Sequence, residues 1–286
     1  MTMKDLAATG GRELRVEALR RASLTLSEFV ERDQRAQNLL ADDRPLSGGH
    51  VEAMRQAFEE DGMPGVRLER RRRLAVIAAC DVSGELRLEL ATQEVSDLAA
   101  ACLQVALEDA GDPADVAVIG MGKVGGRELN YSSDIDLMFV APGDTQVATK
   151  TVERILSALG DFTPEGQAYR IDLNLRPEGQ QGALVRSLES YEEYYSRWAK
   201  TWEYQALIKA RPVAGNIGCG ARFIDLIEPL VYQSEITSER VTEIRKMKER
   251  VEDHANLSAR RSKRTGNEDV KLGPGGIRDI EFSVQL

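Results

Sequence analysis

Residues 116–140, VAVIGMGKVGGRELNYSSDIDLMFV, constrain this chain more than any other stretch, because a β-branched run, a glycine-rich loop and an acidic pair follow one another there. Asp134 and Asp136 flank Ile135, and the apolar run continues through Leu137, Met138 and Phe139. The two-residue period of a strand sends both carboxylates to one face. Two like charges side by side call for a cation. A hard divalent ion held by one or two carboxylates and by substrate phosphates is the usual arrangement at phosphoryl-transfer sites. The loop before the pair contains Gly120, Gly122, Lys123, Gly125 and Gly126. Glycines there let backbone N–H groups come close to a phosphate. Loop and pair together predict a site for a metal-bound nucleotide.

Two other glycine motifs are weighed against this. Gly120, Gly122 and Gly125 fit the G-x-G-x-x-G dinucleotide fingerprint, which needs a full helix after the loop and an acidic residue about 20 positions on. Only eight residues separate Gly125 from Asp134, so that unit has no room. A phosphate-binding P-loop fails as well, since Lys123 lacks the required glycine before it and Ser or Thr after it.

A chain of 286 residues with 42% hydrophobic and 30% charged residues has the make-up of a globular protein with a substantial core. The net charge of -9 argues against a general nucleic-acid binder, and no apolar run approaches the roughly 20 residues of a membrane span. No secretory leader is evident at the N-terminus, so a cytoplasmic location is expected. Cys80, Cys102 and Cys219 are odd in number, and His50 and His254 are the only histidines. Disulfides, zinc and a histidine-based triad are therefore not expected.

In chain order, residues 1–10 look unstructured, and 13–40 show helical spacing. Helical segments then follow at 50–60, from 66 and at 93–110, broken around residues 42–49 and 61–65 by proline and glycine. The period changes at 116. Strands are expected at 116–119, 134–140 and 169–175, with a helix at 147–159. Beyond 188 the chain is again read as helical, first to 209 with Tyr191, Tyr194, Tyr195, Trp198 and Trp202 on one side, then at 221–231, 237–264 and from 277. The fold class is α+β: a small mixed sheet embedded in a largely helical chain. The expected organisation is a helical region at 1–112, a core at 113–187 and a helical region at 188–286. The last helical pattern reaches Leu286 without a stop signal and is expected to continue in a longer protein.

Asp172 sits in an Ile-Asp-Leu triplet like that at 135–137, so an adjacent strand would bring a third carboxylate to the same face. Three carboxylates can hold two ions in an in-line displacement. Arg176, Lys209 and Arg211 are candidates for clamping a phosphate, with neutralisation of the acids as the plainer alternative. The Tyr/Trp stripe reads as helix packing in preference to a stacking surface for a base. Lys271, in a second glycine-rich segment, opens a helix that carries Arg278. The free N–H groups of such an entry favour an anion.

Together GMGKVGGRELNYSSDIDL (120–137), YRIDLNLRPEGQQGALVRSL (169–188), WEYQALIKARPVAG (202–215) and KLGPGGIRDIEFSVQ (271–285) resemble the glutamine synthetase adenylyltransferase/adenylyl-removing enzymes. The resemblance implies a polymerase-β-like nucleotidyltransferase core with Asp134, Asp136 and Asp172 as catalytic metal ligands for Mg2+, two ions being allowed and Mn2+ an alternative, and with Ser133 as the residue before the first ligand. It also implies glutamine synthetase as protein substrate, inorganic phosphate and ADP or ATP as small partners, and a PII-type signalling protein as a regulator. Members of that family carry one half that removes AMP from a tyrosine by phosphorolysis and one that attaches it from ATP. The long helical lead and the 271–285 segment resemble the removing half. ATP-dependent attachment and a non-catalytic docking module remain the alternatives.

Overall fold

The computed structural model describes residues 3–42, 46, 49–232, 238–261 and 276–285. They fall into two compact units, one made of the residues up to Tyr191 with Lys209–Asp225, the other of Glu192–Ile208 with the residues from Leu226 on. The expected boundaries at 112 and 187 do not coincide with these units.

The first unit opens with helices α1 (Met3–Ala22), α2 (Leu24–Arg32), α3 (Gln34–Ala41), α4 (His50–Val82) and α5 (Leu88–Ala110). Helix α1 already includes residues 3–10, which the sequence reading left unstructured; Lys4, Leu6, Ala7 and Ala8 are strong helix formers. The expected break near residue 61 is present within α4, where Asp61 and Gly62 leave helical geometry. Short helices are set off by their caps: Ser23 accepts from the Leu26 N–H at 3.3 Å, and Asp33 from the Ala36 N–H at 2.8 Å.

Leu19, Val30, Ala36 and Leu40 form one core cluster with Ala75, Val76 and Ala79 of α4. A second runs from Met54 and Ile77 of α4 through Leu98, Leu103 and Leu107 of α5 to Val118 and Phe139 of the sheet. Helix α5 is therefore buried on several sides, and the leading helices share a core with the sheet.

Buried charges among these helices are paired in a chain. Arg72 binds Asp33 at 2.9 Å and Glu69 at 3.4 Å, and Glu69 binds Arg73 at 3.2 Å. Arg73 then meets His50 Nδ1 at 3.2 Å, and His50 Nε2 meets Glu94 at 2.8 Å. Because arginine can only donate, His50 Nδ1 is the acceptor and Nε2–H donates to Glu94.

The sheet comprises β1 (Ala117–Gly120), β2 (Ile135–Ala141), β3 (Ile171–Asp172), β4 (Arg186–Ser187) and β5 (Arg211–Gly215). Its order is β3-β2-β1-β5, with β4 also pairing β2. Strand β1 runs antiparallel to β2 and β5, whereas β3 and β4 run parallel to β2. Helix α7 (Thr145–Gly160) follows β2 and buries Val152 and Ile155; the helical turn α6 (Gly122–Gly125) lies between β1 and β2.

Two expectations change here. Strand β3 is shorter than 169–175, because the Asp172 carboxylate accepts the Asn174 N–H at 2.7 Å and turns the chain out of the ladder. Strand β5 falls between the helices expected to end at 209 and to begin at 221, where no strand was expected. Pro212 disguised it, yet β5 is an edge strand, the place where a missing N–H is tolerated.

Helix α8 (Leu188–Arg197) crosses from the first unit into the second. Within the first, Tyr191 is buried, donates to Phe139 O at 3.1 Å and packs edge-on to Phe223 with ring centres 5.0 Å apart. The second contains helices α9 (Thr201–Leu207) and α11 (Ser238–Arg261), the end of α10 from Leu226 on (the helix spans Ile217–Val231), and α12 (Ile277–Gln285). There the Tyr194 hydroxyl reaches buried Glu203 at 2.7 Å, and Tyr195 packs against Tyr204. Those tyrosines serve packing, while Trp198 is exposed.

Candidate active site

The strand register places the acidic residues. Ile135 pairs with Ile171 and Asp136 with Asp172 across the parallel β2–β3 ladder. Paired residues of neighbouring strands lie on the same face, so Asp136 and Asp172 stand side by side. One step earlier the Ile135 N–H donates to Arg170 O at 2.9 Å. The Arg170 side chain returns to Asp134 Oδ1 at 2.5 Å and to Ser132 O at 2.9 Å. Asp134 is thus held by a cation from its own neighbourhood. Among the described residues no three of His, Cys, Asp or Glu are grouped closely enough to hold a metal ion together.

The glycine loop is built to bring backbone up to Asp136. Its turn is hydrogen-bonded at the base, Met121 N to Asp136 O at 2.8 Å. Gly122 adopts φ +49, and a Cβ on it would lie 2.5 Å from Asp136 Oδ2. Both the left-handed conformation and the close approach require glycine. Gly125 is needed for a different reason: a Cβ there would strike Lys209 O at 2.0 Å and Gly120 O at 2.4 Å. Gly120 ends β1, and Gly126 caps α6 by donating to Gly122 O at 3.1 Å. Part of the glycine signature therefore serves packing of α6 onto the segment before β5.

The loop between α6 and β2 is anchored from both ends. Lys123 Nζ donates to Ser133 Oγ at 3.1 Å, and that hydroxyl donates to Asn130 Oδ1 at 2.6 Å. The Leu129 N–H reaches buried Ser96 Oγ at 3.0 Å, Arg127 pairs with Asp97 at 2.5 Å, and the Tyr131 hydroxyl donates to Asp81 at 2.7 Å. Burial, then the Asp81 carboxylate, holds the Tyr131 phenol well above its usual range. Helices α4 and α5 thus fix the loop that precedes the acidic strand.

The remaining sequence candidates divide. Arg211 donates to Gly125 O at 3.0 Å and Val124 O at 3.1 Å, closing the C-terminal end of α6; burial pulls its pKa down from the ordinary arginine value. Lys209 pairs with Glu128. Arg176 uses its guanidinium on the carbonyls of Leu173 at 3.0 Å, Gln180 at 3.3 Å and Gly182 at 3.4 Å, shaping its own loop. These contacts are all with protein groups. Lys271 lies outside the described residues, and Arg278 is on α12 in the second unit.

Arg170 and Asn130 were not singled out from the sequence. The available signal for Arg170 was its spacing: it stands two residues before Asp172, as Asp134 stands two before Asp136, so register alone brings that pair together.

The donor set suits a hard cation. Asp136 and Asp172 stand side by side in register, and the absent Cβ of Gly122 lets backbone approach the Asp136 carboxylate. Two carboxylates with substrate phosphates are the usual Mg2+ environment, without a protein cage. No helix among the described residues is long and apolar enough to cross a membrane.

Comparison with known proteins places this arrangement in context. Residues 245–286 match the family model described as GlnD PII-uridylyltransferase. A protein of Streptomyces avermitilis named bifunctional glutamine synthetase adenylyltransferase/adenylyl-removing enzyme is 42% identical over 282 residues, covering 93% of this chain and 28% of the relative. Proteins of the same name from Streptomyces coelicolor and Corynebacterium glutamicum are 42% and 43% identical over 261 and 203 residues, covering 85% and 68% of this chain and 26% and 18% of theirs. The chain spans about a quarter of the length of the first of these relatives. Residues 13–225 match the glutamate-ammonia ligase adenylyltransferase model, and with that match the chain belongs to the glutamate-ammonia ligase adenylyltransferase family.

Proposed function

We propose that this chain is a metal-dependent nucleotidyltransferase that acts on glutamine synthetase, removing AMP from its adenylylated tyrosine by phosphorolysis. The observation that carries the chemistry is the in-register pair Asp136 and Asp172 beside the Gly122 turn. The relatives' shared name supplies the protein substrate. The removing direction rests on the likeness of the 271–285 segment to that half of the family. A PII-type protein as regulatory partner is supported by the match at 245–286.

Asp134, Asp136 and Asp172 would hold Mg2+ or Mn2+, which when bound supplies Lewis-acid stabilisation of charge on phosphoryl oxygens. The chain's own residues would do the rest by positioning. The turn at Gly122 brings backbone to the adenylyl phosphate, and Lys123, fixed through Ser133 and Asn130, adds positive charge beside it. An oxygen of inorganic phosphate forms the new bond to phosphorus in line as the bond to the tyrosine oxygen breaks. ADP leaves, and the phenolate takes a proton from water. A phenol of pKa about 10 departs more readily than an alkyl alcohol, so no dedicated acid is required.

Incubation of adenylylated glutamine synthetase with this chain, phosphate and Mg2+ should release ADP. Free AMP would show hydrolysis. Labelling of unmodified synthetase from ATP with release of pyrophosphate would assign the opposite direction, and binding to the synthetase without turnover in either direction would leave a docking module.

A further inference from the structure

We propose that Arg170 is a resident counter-ion for Asp134, which a divalent cation must displace to gain that carboxylate. The inference rests on the metal-dependent reading above and concerns a residue which that reading leaves without a role.

Arg170 is fixed at its backbone and loose at its tip. Its carbonyl accepts the Ile135 N–H, which sets it beside the start of β2, and its guanidinium spans from Asp134 Oδ1 at 2.5 Å to Ser132 O at 2.9 Å. The two side chains are 64% and 48% exposed. The pair can therefore open into water without stranding a buried charge, and exposed pairs of this kind are worth only a few-fold in an equilibrium constant. By contrast Arg72 and Asp33, at 10% and 13%, could not separate so cheaply.

Arginine stays protonated under all ordinary conditions, so the guanidinium gives up Asp134 only by leaving. Until it leaves, it neutralises Asp134 and repels an incoming cation. Arg170 is on this account a positioning residue that sets the threshold of cation binding. Removing its charge should tighten the site, whereas a residue that merely props Asp134 in place would, on removal, loosen it.

The test is titration of the 286-residue chain with Mn2+, followed by calorimetry and by the electron paramagnetic resonance of free Mn2+, with melting temperatures recorded without metal. R170Q should bind Mn2+ about three- to tenfold more tightly than wild type, the gap narrowing as salt is raised. R170K keeps the charge but loses the fork, and should fall between the two. Mn2+ affinity in R170Q that is unchanged or weaker, at an undisturbed melting temperature, would overturn the inference. If R170Q fails to fold, weaker binding in R170K does the same. Binding that D136N abolishes and R170Q leaves alone would overturn this inference while sparing the metal reading. Absence of Mn2+ binding in every variant would overturn both.

Discussion

Asp33 and Asp134 both sit beside an arginine, but the first is 13% exposed under Arg72 and the second is 48% exposed under Arg170. Around Asp33 the charges alternate from Arg72 through Glu69 and Arg73 to His50 and Glu94. Every member there has a fixed partner, as buried charge requires. At the sheet edge the register instead gathers Asp136 and Asp172 and leaves Asp134 to one exposed arginine. The same residue types therefore stand in buried pairs in one region and in a water-exposed pair in the other.

The comparison breaks most sharply at the acidic pair. D136N and D172N should each lower turnover about a thousandfold or more, because a lost ligand removes several kcal/mol of charge stabilisation. Release of ADP measures that loss, and thermal melting should show no matching fall in stability. A large drop in melting temperature would mean that the pair holds the fold as the Asp33 chain does.

The reciprocal experiment is D33A. It removes the α3 cap and leaves Arg72 without its aspartate, which should cost about 3 kcal/mol of stability in denaturant titration. Mn2+ affinity should stay within twofold of wild type, about what experimental scatter allows. A changed affinity would show the two regions to be coupled.

Gly122 gives a sharper probe of the edge. G122A places a methyl carbon 2.5 Å from Asp136 Oδ2 on a backbone at φ +49. The left-handed conformation costs about 1 kcal/mol and the displaced carboxylate should lose about 10- to 100-fold in turnover. An active G122A would show that the turn does not set the carboxylate's position.

Much of this architecture is legible in the sequence because its signals are local. The helix break at residue 61 carries Asp-Gly and the acidic strand alternates with apolar residues, whereas the caps at Ser23 and Asp33 divide a stretch that was read as continuously helical over 13–40. What was not legible depends on partners distant in the chain. Strand β5 exists because β1 has a free edge to pair with, a fact that Pro212 conceals. The carbonyls that Arg176 and Arg211 bind are likewise set by the fold and are not written in the sequence. Charge type is written in the sequence, but the identity of a charge's partner is a property of the fold.

The smallest expected effect concerns acid. Burial alone would raise the Asp33 pKa, but the Arg72 hydrogen bond, the Ala36 N–H and the Arg72 charge together hold it below its ordinary 3.8. The His50 hydrogen bond does the same for Glu94, against burial, relative to an ordinary 4.5. A carboxylate whose folded pKa is depressed stabilises the fold fully above its unfolded value, and that contribution disappears as the pH falls through the folded one. The contribution of these two carboxylates should therefore be complete down to about pH 5 and be lost progressively below it. E94Q deletes one of the two contributions. Since Glu94 is 35% exposed, screening reduces its share to about 0.5 kcal/mol. The melting temperature of E94Q should thus fall less between pH 6 and pH 3.5 than that of wild type, and D33N should flatten the curve further. Parallel curves for wild type, E94Q and D33N would mean that the buried chain does not govern the acid response, and the contrast between the two regions would lose its electrostatic basis.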